Sequence, residues 1–383
     1  MTPPRVGTGT AIGGSYLPAA PAPRLMSEQA DSTLDTAALR SFLDRAVGPA
    51  DDLTVTGEGG GYSNETLFVT WGDRDLVVRR PPPDETADTA HDVLREYRIL
   101  DALQGTNVPV APTVAACEDE SVLGAPFYVM DRIKGDVIRT EEPDRFATPD
   151  RRDALADALV GALVAVHDVD YDAVGLEAGE FGYPEGYLDR QVERFQEACI
   201  WALDTTSEER EVPELYEVGS WLAEHAPDES AHALVHGDYK LDNVLFAPDD
   251  EPRIAGVFDW EMSTLGDPLA DLGYALHFWP DRQTDGGTDV VADEQFAPSF
   301  LTHEDYPTRA EFVARYERRS GREFENPRFY LALAAFKMAA LGEMFYARFL
   351  RGGVDDPMYE RMGEGVPAQA ERALAIIEGE WTL

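Results

Sequence analysis

Two short segments in the second half of the chain carry the residue types that phosphoryl transfer requires. The first is Leu-Val-His-Gly-Asp-Tyr-Lys-Leu-Asp-Asn-Val-Leu-Phe at 234–246, and the second is Val-Phe-Asp-Trp-Glu at 257–261. Phosphoryl transfer needs a carboxylate that orients the acceptor hydroxyl, and oxygen ligands for the metal ions that neutralise the phosphates. Asp238 supplies the carboxylate, and Asn243 and Asp259 supply the metal ligands. Because Asp238 and Asn243 share one short loop between apolar runs, both can face one cleft.

A simple turn is the alternative interpretation of either segment. Asp and Asn side chains bond their own backbone and are common in turns. That explanation would suffice for one segment alone. It does not account for two segments in this order, each flanked by strand-like apolar residues, so the pattern predicts a phosphoryl-transfer centre.

The two segments resemble the H-x-D-x-x-x-x-N and D-x-G elements of protein kinases, with two departures. A glycine follows the histidine, and Asp-Trp-Glu stands in place of Asp-Phe-Gly. In both departures the chain resembles the aminoglycoside phosphotransferase and choline kinase-like superfamily. Within this superfamily, the wider sequence from His236 to Asn243 and from Phe258 to Pro268 resembles the kinase domain that precedes the dehydrogenase in acyl-CoA dehydrogenase family members 10 and 11. The resemblance covers roughly residues 34–383.

This resemblance implies an α+β, bilobal protein-kinase-like fold. The expected N-lobe, residues 34–133, has a small antiparallel sheet with one helix and binds the nucleotide. The expected C-lobe, residues 134–383, is mainly helical and carries the catalytic loop and the acceptor site. ATP and Mg²⁺ are the implied cofactors. Residues 1–33 are poor in large apolar side chains and are predicted to form a disordered tail, with Met26 as a possible start.

Three strand-like runs near the start of the first lobe are expected to hold the nucleotide. They are 52–57, 65–71 and 75–80, and Glu-Gly-Gly-Gly-Tyr-Ser-Asn at 58–64 joins the first two. In a kinase, a glycine-rich loop here covers the phosphates, because glycines let backbone N–H groups approach an anion closely. Ser63 is the candidate phosphate contact in this loop. A plain hairpin would explain the three glycines equally well.

The third run ends on two arginines, where a protein kinase has a phosphate-binding lysine. The chain has no lysine before Lys134. By the superfamily's Leu-Arg pattern the role falls to Arg79, whose guanidinium can hold phosphate oxygens bidentately. A helix predicted over 87–105 places Glu96 on its apolar face, so Glu96 is expected to pair with Arg79. The alternative is a carboxylate whose head reaches water.

The run from 127 to 133 is predicted to be a strand that leads into the hinge between the lobes. The backbone of Met130, Asp131 and Ile133 would read the adenine there, and Gly135 ends the segment.

Several other residues of the second lobe are candidates for the site. Lys240 occupies the place where many protein kinases put a lysine against the γ-phosphate, although a solvated loop charge would explain it too. The superfamily implies that Asp271 braces the catalytic loop, and that the segment containing Arg190 and Gln191 lies near the acceptor. A solvated helix face explains those two equally well. His167 is expected to be a core or capping histidine.

The chain is strongly acidic, with 73 acidic against 32 basic residues and a net charge of −41. Such a surface repels nucleic acid and anionic membranes, and no stretch is expected to approach the roughly twenty apolar residues of a transmembrane helix. Self-repulsion of this size favours a high-salt cytoplasm; an acidic surface for a cationic partner is the alternative. The two cysteines are far apart and fit a reducing, cytoplasmic setting. The oligomeric state stays open.

The acceptor is the least determined part of the interpretation. The nearest resemblance implies a hydroxyacyl-CoA type of acceptor, whereas the wider superfamily allows aminoglycosides, amino alcohols, sugars and others. A nucleotide-binding regulator without catalysis is the alternative of another class. Loss of Asp238, Asn243 or Asp259 would mark it, and all three are present.

Overall fold

The computed structural model describes residues 34–59, 64–81, 92–280, 298–352, 357–380 and 383. The chain divides into two compact units, Met1–Tyr97 with Thr113–Arg132, and Arg98–Pro112 with Ile133–Leu383. The sequence had assigned residues 98–112 to the first lobe, and here they cluster with the second unit. One reason is a backbone hydrogen bond of 2.7 Å from the Val257 N–H to the Pro109 carbonyl. The predicted tail at 1–33 and Ser63 lie outside the described residues.

The first unit is built on a five-stranded antiparallel sheet with the strand order β1-β2-β3-β5-β4. Its strands are β1 (Leu53–Gly59), β2 (Glu65–Trp71), β3 (Arg74–Arg80), β4 (Thr113–Cys117) and β5 (Phe127–Asp131). Alternate residues of β2 are buried, as expected when one face of a strand meets the core. Leu39 and Leu43 of helix α1 (Thr36–Ala46) cover that face.

Helix α1 begins at a side-chain cap that the sequence analysis did not identify. The Asp35 carboxylate accepts from the Ala38 N–H at 2.9 Å, which satisfies a backbone donor that the helix itself leaves without a partner. The predicted helix over 87–105 is α2, Val93–Ala102; residues 87–91 lie outside the described part of the chain.

The second unit is mainly helical, which with the antiparallel sheet of the first confirms the predicted α+β class. Its helices are α3 (Pro149–His167), α4 (Tyr187–Thr206), α5 (Pro213–His225), α6 (Pro268–His277), α7 (Arg309–Ser320), α8 (Pro327–Leu350), α9 (Pro357–Glu364) and α10 (Val366–Glu378). Two short antiparallel pairs lie among them. Strand β6 (Ala233–Val235) pairs with β9 (Thr264–Gly266), and β7 (Val244–Phe246) pairs with β8 (Ile254–Val257).

Helix α8 lies at the centre of this unit and is long and apolar enough, by length and composition, to cross a membrane; no other described helix is. The expectation that no stretch would approach this length was therefore wrong. In the structure 89% of its apolar window is buried, since α4, α6, α9 and α10 pack around it. A helix buried on all sides is apolar all round, which produces the same compositional signal as a membrane span.

Candidate active site

The predicted catalytic loop leaves strand β6 through a turn that only glycine fits. Gly237 has φ 80°, and a Cβ on it would lie 2.6 Å from the Met262 carbonyl oxygen. Glycine reaches this region of backbone conformation without steric cost. The turn places Asp238, 4% exposed, in the interior of the unit.

Both oxygens of the Asp238 carboxylate are held. Oδ2 accepts from the Lys240 ammonium at 2.5 Å and from the Asn243 amide nitrogen at 2.7 Å. Oδ1 accepts from the Tyr274 hydroxyl at 2.5 Å. The carboxylate is therefore fixed in one orientation before any substrate binds.

Charge around the carboxylate keeps it ionised. Burial by itself would raise the pKa of Asp238, but the ammonium groups of Lys240 and Lys337 hold that pKa below its ordinary value. Burial likewise opposes the charge of Lys240, and Asp238 and Asp242 keep its pKa raised. An ionised carboxylate at this place can accept a hydrogen bond from a hydroxyl and orient it.

Lys240 is 3% exposed and pairs with Asp238. Because Lys240 is buried, it is not a solvated loop charge. It can stay charged because Asp238 is its partner, whereas a buried lysine without a partner would lose its charge.

Asn243 and Asp259 are brought together by the β7–β8 pair. Val244 stands opposite Val257 in this pair, and the Phe258 N–H donates to the Asn243 carbonyl at 2.9 Å. The residue after Phe258 is Asp259, whose φ of 64° is in the left-handed region, a conformation that costs energy outside glycine and is common at functional sites. The two predicted metal ligands therefore lie at the same end of this strand pair, Asn243 directly before β7 and Asp259 two residues after β8.

Asp271 braces the catalytic loop from helix α6, as the superfamily implied. Its carboxylate accepts from the backbone N–H of His236 at 2.5 Å and of Gly237 at 2.8 Å. Burial would raise its pKa, but the hydrogen bond from His167 and that residue's charge hold the pKa below its ordinary value. The other ring nitrogen of His167 bonds the Tyr316 hydroxyl at 2.8 Å, so His167 is a core residue behind the loop.

His236 fixes the loop by means of both ring nitrogens. Nδ1 accepts from the Asp238 N–H at 3.2 Å, and Nε2 lies 2.8 Å from the Phe258 carbonyl oxygen, to which it must donate. Burial lowers the pKa of His236, which favours the neutral ring that this pattern requires. The catalytic loop and the Asp259 loop are thereby tied to each other.

In the first unit the predicted ion pair between Arg79 and Glu96 is present. Arg79 lies 3.1 Å from the Glu96 carboxylate, which is 2% exposed. A carboxylate with its head in water, the alternative for Glu96, is therefore wrong. The neighbouring Arg80 is occupied elsewhere, since it bonds Glu65 at 2.7 Å and the Leu123 carbonyl at 3.0 Å. That leaves Arg79 as the arginine whose partner matches the kinase pattern.

The predicted hinge residues fall on both sides of the unit boundary. Met130 lies opposite Val77 in the sheet, and the Asp131 carboxylate pairs with Arg74 at 2.6 Å. Ile133 belongs to the second unit, where its side chain lies next to Gly256.

Comparison with known proteins assigns the family. A family model described as the phosphotransferase enzyme family matches residues 54–330. The chain belongs to this phosphotransferase family. Curated relatives include acyl-CoA dehydrogenase family member 11 of Gallus gallus, 34% identical over 333 residues (86% of this chain, 41% of the relative). Family member 10 of Mus musculus is 33% identical over 82% of this chain and 28% of its own length. The chain thus spans well under half of these relatives.

Relatives of comparable size are also phosphotransferases. Viomycin phosphotransferase of Streptomyces vinaceus is 30% identical over 47% of this chain and 58% of its own length. A solved Ralstonia eutropha protein assigned to the aminoglycoside phosphotransferases superposes with a TM-score of 0.76 at 32% identity, covering 91% of this chain and all of that one. The hygromycin B complex of aminoglycoside phosphotransferase APH(4)-Ia with AMP-PNP, 17% identical with a TM-score of 0.55 and covering 89% and 99%, shows the same fold. The predicted fold class and superfamily are confirmed.

The donor atoms of this phosphotransferase fit Mg²⁺. The Asn243 amide nitrogen donates to Asp238, so the amide oxygen is the atom that remains to bind a metal ion. Asp259 adds a carboxylate. Magnesium prefers such oxygens and takes few protein ligands, completing its shell with water and phosphate. The described part of the chain contains no group of three or more His, Cys, Asp or Glu side chains that could hold a metal ion.

Two residues beside Asp238 were missed by the sequence analysis, Tyr274 and Lys337. Tyr274 lies inside the apolar helix α6, where nothing in the pattern separates it from core aromatic residues. Lys337 did carry a signal, since it is one of three lysines in the chain and stands in the middle of an apolar run. By contrast, the Arg190 guanidinium bonds the nearby carbonyls of Glu185 and Tyr183, which gives it a local role at the start of α4. Gln191 makes no described contact with the site.

Proposed function

We propose that this phosphotransferase moves the γ-phosphoryl group of ATP to a hydroxyl of a small molecule. The observation that carries the proposal is the buried, ionised and fully oriented carboxylate of Asp238 on a loop that also positions Asn243 and Asp259. A structural aspartate would not need an ammonium group, an amide and a phenol directed at it. An AMP-PNP complex of a protein with the same fold supports ATP as the donor.

In this reaction Asp238 accepts the hydrogen bond of the acceptor hydroxyl and takes its proton as the hydroxyl oxygen bonds to the γ-phosphorus. The bond from the γ-phosphorus to the β–γ bridging oxygen breaks, and ADP leaves. Lys240 balances the charge of Asp238 in the buried site. Asn243 and Asp259 would hold Mg²⁺, which neutralises charge on the phosphates when it is bound. Arg79, oriented by Glu96, is the candidate for contacting the nucleotide phosphates in the first unit, with Ser63 as a further candidate.

For the acceptor we propose a hydroxyacyl-CoA or a related hydroxy acid. The relatives named acyl-CoA dehydrogenase family members 10 and 11 support it, although the chain matches only part of their length.

An aminoglycoside or amino-alcohol acceptor is the second candidate. Viomycin phosphotransferase and the hygromycin B complexes are the observations that favour it. A regulator that binds nucleotide without catalysis is a weaker candidate, because it has no need of a buried carboxylate whose orientation is fixed by Lys240, Asn243 and Tyr274.

The test is a coupled assay of ADP formation, with Asp238→Asn as the blank for contaminating activity. The acceptor panel contains hydroxyacyl-CoAs, free hydroxy acids, aminoglycosides and amino alcohols, and phosphorylated products are identified by mass spectrometry. We expect transfer to the acidic hydroxy compounds. Transfer to the aminoglycosides alone would overturn the acceptor proposal, and nucleotide binding without transfer to any acceptor would favour the regulator.

A further inference from the structure

Tyr274 bonds the Asp238 carboxylate and Lys337 bonds the carbonyl of the preceding residue, Gly237, yet neither belongs to the catalytic motif. Tyr274 comes from helix α6 and is 5% exposed; Lys337 comes from helix α8 and is 8% exposed. Their side chains touch, with the Lys337 ammonium 4.0 Å from the centroid of the Tyr274 ring. The Phe195 ring of α4 lies on another side of the ammonium, at 5.8 Å.

The hydrogen bonds of Asp238 show which of its oxygens the acceptor can use. A carboxylate offers about four lone-pair sites, two on each oxygen. Lys240 and Asn243 occupy both sites of Oδ2. Among the described residues Tyr274 takes one site of Oδ1, so the remaining site of Oδ1 is the one that can accept from a hydroxyl. The Tyr274 phenol is thus the immediate neighbour of the proposed acceptor position.

Lys337 holds the backbone that directly precedes the carboxylate. Its ammonium donates to the carbonyl oxygen of Gly237, the residue whose left-handed conformation directs the chain into Asp238. The same ammonium rests on the face of the Tyr274 ring, a favourable cation–π arrangement. One lysine therefore restrains both the loop that carries the carboxylate and the phenol that orients it.

We propose that Tyr274 and Lys337 are positioning residues that hold Oδ1 of Asp238 towards the acceptor hydroxyl. The inference rests on the proposed phosphoryl transfer. Tyr274 fixes the rotation of the carboxylate, and Lys337 fixes the Gly237 carbonyl and the phenol ring. Neither residue contacts the nucleotide in this scheme, so their loss affects turnover and leaves nucleotide affinity unchanged.

Burial favours the phenol form of Tyr274, since it raises the pKa of that hydroxyl well above its ordinary value. Tyr274 therefore remains a donor to Asp238 over the whole working pH range. Burial also lowers the pKa of Lys337 to about 8. The charged groups that face Lys337 are Asp238 and Asp271, which favour its charge, and Lys240 and Arg194, which oppose it.

The first experiment compares Tyr274→Phe with Tyr306→Phe in the full chain. Tyr306 is a matched control because its buried hydroxyl also donates to a carboxylate, that of Glu142 at 2.7 Å, away from the catalytic loop. We expect Tyr274→Phe to lower kcat between about 10-fold and 10²-fold, the cost of a small misplacement of a reacting group. The Kd for AMP-PNP should be unchanged, and Tyr306→Phe should keep the wild-type kcat.

The second experiment uses Lys337→Met and Lys337→Arg, with the pH profile of kcat as the readout. In the wild type kcat should fall above about pH 8 as Lys337 loses its proton. Lys337→Arg keeps its charge, so the alkaline fall should move to higher pH, whereas Lys337→Met should be slow at every pH. A merely structural role would change the melting temperature without moving the pH profile.

The outcomes separate this inference from the function on which it rests. An active wild type with an unchanged kcat in Tyr274→Phe, or with an alkaline limb that Lys337→Arg does not move, overturns the positioning role and leaves the proposed function intact. A wild type that transfers phosphate to no acceptor overturns the function and this inference with it.

Discussion

At the scale of single residues, the site is organised around one ionised carboxylate in a buried place. Asp238 stays charged because Lys240 and Lys337 offset the desolvation that would otherwise raise its pKa. Lys240 belongs to the catalytic motif, whereas Lys337 comes from helix α8, far away in the chain. A buried charge without partners would neutralise itself, so the cations are a condition for base function as well as for stability.

Substituting Asp238 by Asn should abolish this function without disturbing the nucleotide. We expect Asp238→Asn to lower kcat by about 10² or more, the usual contribution of a general base or orienting group. The Kd for AMP-PNP should stay close to that of the wild type, as measured by calorimetry. A kcat within about threefold of wild type would remove Asp238 from the chemistry.

Asp259→Asn should act through the metal. The change removes an anionic oxygen from the proposed Mg²⁺ ligands, so the Mg²⁺ concentration that gives half-maximal activity should rise several-fold, with partial recovery at saturating Mg²⁺. Titration of activity with MgCl₂ measures this. An equal loss of activity at limiting and at saturating Mg²⁺ would show that Asp259 does not hold the metal.

At the scale of secondary-structure elements, the catalytic loop is held by parts that are far apart in the chain. Asp271 of α6 accepts two backbone N–H groups of the loop, and the β7–β8 pair brings Asn243 next to the Asp259 loop. Helix α8 adds the Lys337 contact to the Gly237 carbonyl. The loop therefore has a defined shape only when α6, α8 and the hairpin have packed.

Asp271→Ala should accordingly destabilise the protein as well as inactivate it. It leaves two buried N–H donors without their acceptor, and each such donor costs about 1–3 kcal/mol. We expect the free energy of unfolding in urea to fall by at least about 2 kcal/mol. Asp35→Ala, which removes only the cap of α1, is the control and should cost about 1 kcal/mol. A loss no larger than that of the control would contradict the bracing role.

At the scale of the whole molecule, net charge is the dominant feature. The 73 acidic and 32 basic side chains bring like charges closer together in the folded state than in the unfolded chain, which opposes folding at low ionic strength. Among the described residues, buried basic side chains such as Lys240 and Lys337 are matched by buried acidic ones such as Asp238 and Asp271. The charge imbalance therefore lies at the surface.

Salt should stabilise this protein. Screening shortens the range of charge repulsion from about 10 Å at 0.1 M to about 3 Å at 1 M, so the melting temperature and the activity should rise together between about 0.1 and 2 M KCl. Thermal melts with parallel assays, repeated in NaCl to exclude a specific effect of potassium, measure this. A flat or falling melting temperature would favour a cationic partner over a high-salt cytoplasm as the reason for the acidic surface.

The family and the fold class could be predicted from the sequence alone, and candidate residues could be named for the catalytic loop. Asp238, Asn243 and Asp259 could be identified because they are close in the chain and their chemistry constrains both residue type and spacing. The pair of Arg79 and Glu96 could be predicted for a related reason. A carboxylate on an apolar helix face requires a partner, and the third strand carries a cation.

The surroundings of these residues became apparent only from the folded structure. Tyr274 and Lys337 are 36 and 99 positions after Asp238 in the chain, and each lies in a helix whose apolar pattern is explained by packing alone. Their role depends on how α6 and α8 pack beside the loop, and that packing follows from the burial of many side chains together. The grouping of residues 98–112 with the second unit has the same origin, because a single backbone hydrogen bond to β8 leaves no trace in local sequence.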